Sequence, residues 1–207
     1  MLLFCWLAMP LLLFAQEQNI GVHDPVMIRQ DSVYYLFATG RGISCWSSTD
    51  LKSWKRESPV FATPPAWALQ AVPAYRGHTW APDISYHHGR YYLYYSVSAF
   101  GKNTSCIGVA TNKTLHPASP DFQWVDQGKL LQSVPGRDNW NAIDPNLVLD
   151  EKGTPWLSFG SFWSGIKLVK LSDDLLSVAQ PEEWYTLASR HTGNHLPDTA
   201  AGNGAIE

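Results

Sequence analysis

Hydrophobic positions along this chain come in short bursts parted by small polar turns. Beyond the first fifteen residues, no stretch sustains a 3.6-residue apolar period. Three stretches share one layout: DPVMIRQDSVYYLFATG (24–40), APDISYHHGRYYLYYSV (81–97) and DPNLVLDEKGTPWLSFGS (144–161). Each has a proline, a short apolar strand, a polar turn and an aromatic-rich second strand. Gly89 and Gly153 fall in the turns, where a hairpin wants positive φ. Third strands are expected in GISCWSSTDL (42–51), CIGVATNKTL (106–115) and GIKLVKLSDDL (165–175). Fourth strands are expected around Trp54, Trp124 and Trp184.

Four hairpin-linked strands recurring about every sixty residues make an all-β chain of propeller blades. A twisted blade cannot cover both of its faces, so neighbouring blades must bury them. Trp46, Trp54, Trp124 and Trp184 are assigned to that packing. A β-sandwich would not return Trp and turn residues to matching places three times. The polar stretch RHTGNHLPDTAAGNG (190–204) reads as a linker, and residues 203–207 as the opening of a fourth blade. Propellers close with about four to eight blades, so residues 16–207 read as an incomplete propeller domain.

The 207 residues include 10 Trp, 9 Tyr and 8 Phe, enough for β-core packing and for stacking on sugar faces. A net charge of −3 favours neither nucleic acid nor an anionic membrane and suits a neutral ligand. The run LLFCWLAMPLLLFA (2–15) is short for a bilayer span, which needs about 20 residues. It reads as the apolar part of a signal peptide covering residues 1–15, although no Lys or Arg precedes it. The expected location is secreted or periplasmic, without a lipid or membrane anchor. Cys45 and Cys106 are read as isolated, half-buried thiols, too few for a metal centre. His191 and His195 have helical ligand spacing but sit in a Gly-Asn loop, so no metal site is assigned.

Aligning the repeats on Pro25, Pro82 and Pro145 brings Asp24, Ala81 and Asp144 to one position, the start of each innermost strand. Matching Ala-Ile-Glu at 205–207 to Ala-Ile-Asp at 142–144 adds Glu207, with steps of 57, 63 and 63 residues. Innermost strands line a propeller's channel, so carboxylates placed there converge on its axis. Crowded carboxylates lose hydration and repel one another, which separates their pKa values. Glycoside hydrolysis needs such a pair, an acid for the leaving oxygen and a base for water. A lone Asp-Pro is often only a turn former; recurrence gives this one weight. Asp83, one step beyond Pro82, reads as a supporting residue.

From His23 to Glu207 the chain resembles glycoside hydrolase family 43, and within it the endo-arabinanases. The resemblance rests on HDP (23–25), WSSTDLKSW (46–54), the long second-blade stretch 78–112, NAIDPNLVLD (141–150), WLSFGSFWSGIKL (156–168) and the closing GNGAIE. It implies a five-bladed propeller and inverting hydrolysis of α-1,5-linked L-arabinan, with acid and base about 6.5–9.5 Å apart. By matching motif, Asp24 would be the general base, Glu207 the general acid, and Asp144 the residue that orients the acid and tunes its pKa. Trp80 is the candidate for stacking on an arabinose ring, with blade packing as its alternative. His23, Asn141 and Ser161 are candidates for binding sugar hydroxyls.

The expected partner is arabinan or an arabino-oligosaccharide, bound by a monomer when complete. No cofactor is required for the chemistry. Members of this subgroup often hold a calcium ion or water cluster near a His from a later blade, so a structural calcium is expected only of a full-length protein. The chain as it stands is expected to be inactive. Rival readings are an exo-acting arabinofuranosidase or xylosidase of the same family, and a non-catalytic arabinan-binding propeller. A retaining fructan hydrolase is a further rival; such enzymes carry Asn-Asp-Pro-Asn-Gly where this chain has VHDPVM.

Overall fold

A computed structural model describes residues 19–189 together with Ala205 and Ile206. The signal-peptide segment, the 190–204 linker with its two histidines, and Glu207 lie outside the described residues.

Three antiparallel sheets follow one another along the chain. The first holds β1 (Val26–Gln30), β2 (Val33–Ala38), β4 (Ser44–Ser48) and β5 (Lys55–Arg56) in the order β1-β2-β4-β5. The second holds β6 (His78–His87), β7 (Arg90–Val97), β8 (Ser105–Asn112) and β9 (Val125–Ser133). The third holds β10 (Asn146–Leu149), β11 (Pro155–Phe159), β12 (Ile166–Lys170) and β13 (Trp184–Ala188). These are the three expected blades, with hairpins where the turns predict them. His88 and Gly89 close the β6–β7 hairpin with φ of 50° and 75°, the pair of positive values a two-residue primed turn demands. Three successive four-stranded units of this kind are the blades of a partial β-propeller.

The middle blade is covered on both sides, and the period of two in β7 divides its residues between two cores. Tyr91, Leu93, Tyr95 and Val97 pack toward the first blade with Tyr35, Phe37 and Cys45. Tyr92 and Tyr94 pack toward the third blade with Leu157, Phe159 and Val169. That double burial explains why β7 reads as a nearly continuous aromatic run rather than an alternating one. Trp124 and Trp184 join these inter-blade cores, Trp124 edge-on to Phe37 at 5.7 Å and Trp184 beside Trp140 at 5.5 Å.

Trp46 and Trp54 do not. Trp46 lies on the opposite face of its strand from Cys45, under the Arg56 guanidinium at 5.4 Å. Trp54 belongs to neither core and borders a surface hollow with Ser53 and Lys55. Neighbouring strand residues point to opposite faces, so a Trp shared by the repeats need not share a role.

Two further elements were not anticipated. β3 (Gly40–Arg41) leaves the first blade and pairs with His78–Thr79, giving the second sheet a fifth strand beside the site. A six-residue helix, α1 (Ala66–Ala71), packs its buried Ala68 into the first inter-blade core. At under two turns it is too short to show a helical period.

Candidate active site

The strand starts of the three blades meet around a cleft of about 650 Å³. His23 and Asp24 line it from the first blade, His78 and Trp80 from the second, Asn141 and Asp144 from the third. Five of the seven predicted site residues are therefore brought together.

The repeat alignment is also visible in the backbone. Asp24, Ala81 and Asp144 each have a left-handed backbone, with φ of 49°, 36° and 54°. Each is followed by proline, and none is glycine. Left-handed non-glycine residues cost about 1–3 kcal/mol and persist where their surroundings fix them. At Asp24 and Asp144 the turn redirects the chain from the cleft wall into the strand and leaves the acid side chain at the cleft, whereas Ala81 lies within β6, where the pairing with β7 shifts register between Trp80 and Asp83.

Asp24 is held by two short contacts to its Oδ2. His23 Nδ1 lies 2.7 Å away and the Thr39 hydroxyl donates at 2.6 Å. The Trp80 indole N–H donates to His78 Nδ1 at 3.1 Å, which fixes the ring plane and makes that nitrogen the acceptor.

The segment Asn141–Leu147 is fastened along its length. Ala142 N–H donates to the Ser133 hydroxyl at 3.0 Å, and Asp144 N–H to the Ser96 hydroxyl at 2.9 Å. Leu147 N–H donates to Asp83 at 2.9 Å, with the Asn146 amide on its other oxygen at 3.3 Å. Asp83 thus has the supporting role read for it, joining the second blade to the third. Burial holds its carboxyl above the ordinary aspartate value, although the Leu147 and Asn146 bonds pull the other way.

Ser161 is buried at 1% exposure and is not among the residues that line the cleft, where the wall is formed by the next two residues, Phe162 and Trp163. The seventh residue, Glu207, lies outside the described residues.

Several cleft residues were missed by sequence reasoning. Phe100, on the turn after β7, is 96% exposed at the cleft, beside Lys102. With Trp80, Phe162 and Trp163 it surrounds a few polar groups with aromatic surface, the pairing that sugar rings require. The signal available for Phe100 was only a large apolar residue beside a turn glycine. Among the described residues no three His, Cys, Asp or Glu side chains converge as a metal site. Cys45 and Cys106 are free and buried rather than half-buried, and burial pushes their thiols up to about 12 and about 11.

With this geometry in place, the relatives can be compared. Residues 19–200 match the profile of glycosyl hydrolases family 43, and the chain belongs to that family. It is 51% identical over 206 residues to an extracellular exo-α-(1→5)-L-arabinofuranosidase of Cellvibrio japonicus, covering 98% of this chain and 59% of that protein. It is 43% identical over 181 residues to an extracellular endo-α-(1→5)-L-arabinanase of Bacillus subtilis, covering 86% of this chain and 54% of that one. Among solved structures, the Cellvibrio cellulosa α-L-arabinanase complexed with arabinohexaose superposes with a TM-score of 0.86 at 53% identity, covering 89% of this chain and 59% of that one. The chain therefore spans a little over half the length of the relatives it matches.

Proposed function

We propose that the full-length protein hydrolyses α-1,5-linked L-arabinofuranosyl bonds in arabinan by an inverting mechanism. One observation carries this reading: two left-handed Asp-Pro strand starts, from different blades, deliver Asp24 and Asp144 to one aromatic-walled cleft. In this mechanism Asp24 takes a proton from the attacking water. Glu207 protonates the leaving sugar oxygen, and Asp144 orients that acid and tunes its pKa. Trp80 stacks on an arabinose ring, its indole oriented by His78. His23 and the buried Asn141 bind hydroxyls. Residues 16–207 supply the catalytic blades, and residues 1–15 direct secretion, in keeping with two relatives named as extracellular.

The intended action is endo, on internal bonds. The similarity to a protein named as an exo-acting arabinofuranosidase supports a second reading, cleavage from chain ends. Linear arabinan separates the two: mixed oligosaccharides early in the reaction mean endo action, and a single small product from the start means exo. The decisive test is incubation of the full-length protein with linear arabinan, with the product anomer followed by NMR. Inverted arabinose ends are expected, with Asp24→Ala and Asp144→Ala each lowering kcat by at least about 10²-fold. Trp80→Ala should act mainly on KM, raising it about tenfold for loss of a stacking contact of about 1 kcal/mol or more. Binding of arabino-oligosaccharide without release of reducing ends would replace the enzyme by a binding propeller.

A further inference from the structure

Two of the left-handed residues that precede these prolines share a second feature. Ala81 N–H donates to the Thr39 hydroxyl at 2.8 Å, and Asp144 N–H donates to the Ser96 hydroxyl at 2.9 Å. Each bond runs from one blade to the next. Thr39 and Ser96 are 57 residues apart, the same step that separates Asp24 from Ala81. They also hold the same place in their blades. Val26 pairs with Phe37 and Asp83 with Tyr94, and the hydroxyl residue stands two beyond each partner. Period-two alternation puts Ser96 on the face of Tyr94, toward the third blade, and the bond to Ala81 turns Thr39, in the bend just after β2, toward the second. The corresponding place in the third blade is Gly160, two beyond Ser158, the partner of Asn146, and it has no hydroxyl to offer.

The two bonds differ in one respect. Having accepted from Ala81 N–H, the Thr39 hydroxyl spends its own proton on Asp24 Oδ2 at 2.6 Å. A hydroxyl that accepts from a fixed backbone N–H has its remaining proton directed elsewhere. Its geometry is therefore set by the second blade while its proton is given to the first. With His23 Nδ1 on the same oxygen, both contacts converge on Oδ2 and leave Oδ1 as the oxygen available to a water.

We propose that Thr39 is a positioning residue for the reaction, a hydroxyl bridge that locks the Asp24 carboxylate to the innermost strand of the neighbouring blade at Ala81. Ser96 is its repeat counterpart and holds the backbone of Asp144. Thr39 lines the cleft, but its hydroxyl is committed to Asp24 and to Ala81 N–H, so both residues act through an acid. The inference rests on the reading of Asp24 as the general base, and it adds that base strength alone is insufficient without registry between blades.

Thr39→Val keeps the shape of the side chain and removes both hydrogen bonds, whereas Thr39→Ser keeps both. In the full-length enzyme acting on a linear arabino-oligosaccharide, Thr39→Val should lower kcat about 10- to 100-fold with KM within about twofold. That is the scale expected when a catalytic group is misplaced by a fraction of an ångström to an ångström. Thr39→Ser should recover to within about threefold of wild type. An unchanged kcat in Thr39→Val overturns the proposal, as does an equal loss in Thr39→Ser or a change confined to KM. Asp24→Ala is the control: full activity there sinks the assignment of the base itself, whereas an inactive Asp24→Ala beside a fully active Thr39→Val sinks only the bridge. Should Thr39→Val fold poorly, a crystal structure of Thr39→Ala gives a readout independent of turnover. Displacement of the Asp24 carboxylate supports the bridge, and an unmoved carboxylate removes it.

Discussion

Asp83 shows how a residue outside the chemistry can still shape the site. Its carboxylate sits between two blades and accepts from Leu147 N–H and the Asn146 amide, three and two residues beyond Asp144. Burial raises its pKa above the ordinary value of 3.8, so the folded protein holds this proton more tightly than the unfolded chain does. The group's contribution to stability is then most favourable at pH below 3.8, falls as pH climbs through the raised folded value, and levels off above it. Asp83→Asn cannot ionise. The unfolding free energy of Asp83→Asn relative to wild type should therefore rise with pH across that window and then stay flat, whatever constant offset the altered hydrogen bonds introduce. Urea titrations at several pH values measure it, and a pH-independent difference would show that Asp83 carries no burial cost. The hydroxyl bridge of Thr39 was within reach of the same repeat alignment that found the acids, since Thr39 and Ser96 share the 57-residue step. In the sequence alone, a hydroxyl near an acid has no signature until its hydrogen-bond partners are located. Ser161 shows the converse: it lies beside recognisable site residues in sequence, but it follows the left-handed Gly160 beyond the end of β11, where no strand period tells which way a side chain points.

At the scale of elements, what the sequence displayed was periodicity and turn chemistry, and those are the features that held. Gly89 and Gly153 adopt φ of 75° and 81° in the turns where hairpins were expected. β3 was hidden because two residues carry no period, and α1 because PAWALQA offers too few positions to distinguish a helix from a loop. Two glycines give a graded test of this local logic. Around Gly89 there is open space, so Gly89→Ala meets only the backbone cost of a left-handed alanine, about 1–2 kcal/mol. At Gly165, where φ is 78°, an added Cβ would lie 2.1 Å from the Ala188 carbonyl oxygen. Both groups are backbone-fixed at the start of the β12–β13 pairing, so neither can give way cheaply. Gly165→Ala should cost roughly 3 kcal/mol or more, the sum of backbone and overpacking terms. Urea unfolding of the two variants side by side checks the order. A smaller loss at Gly165 than at Gly89 would mean that the β12–β13 edge can open without cost.

For the whole molecule, the question is what the outer blades do with their second faces. Leu147, Leu157 and Val169 turn inward to the second blade, so alternation sends Val148, Trp156 and Lys170 to the far side of the third. There Val148 is 42% exposed and Tyr185 is 50% exposed, with Trp156 against the Tyr185 ring at 5.7 Å. The first blade shows the same arrangement around Met27, which is 48% exposed in register with Leu36 and Trp46. A contiguous apolar sheet face of this kind is one that soluble monomers seldom leave bare, and an edge such as β13 adds unpaired backbone groups. The 207-residue polypeptide, expressed by itself, is therefore expected to associate through these faces at about 100 micromolar. Sedimentation velocity should show mass increasing with concentration, and Val148→Lys with Tyr185→Lys should reduce that increase by interrupting the third-blade face. The paired substitution is informative because both side chains already reach solvent, so neither disturbs the inter-blade cores that hold Asp24 and Asp144 at the cleft. A polypeptide that remains monomeric over that range, before any substitution, would show that these faces do not drive association.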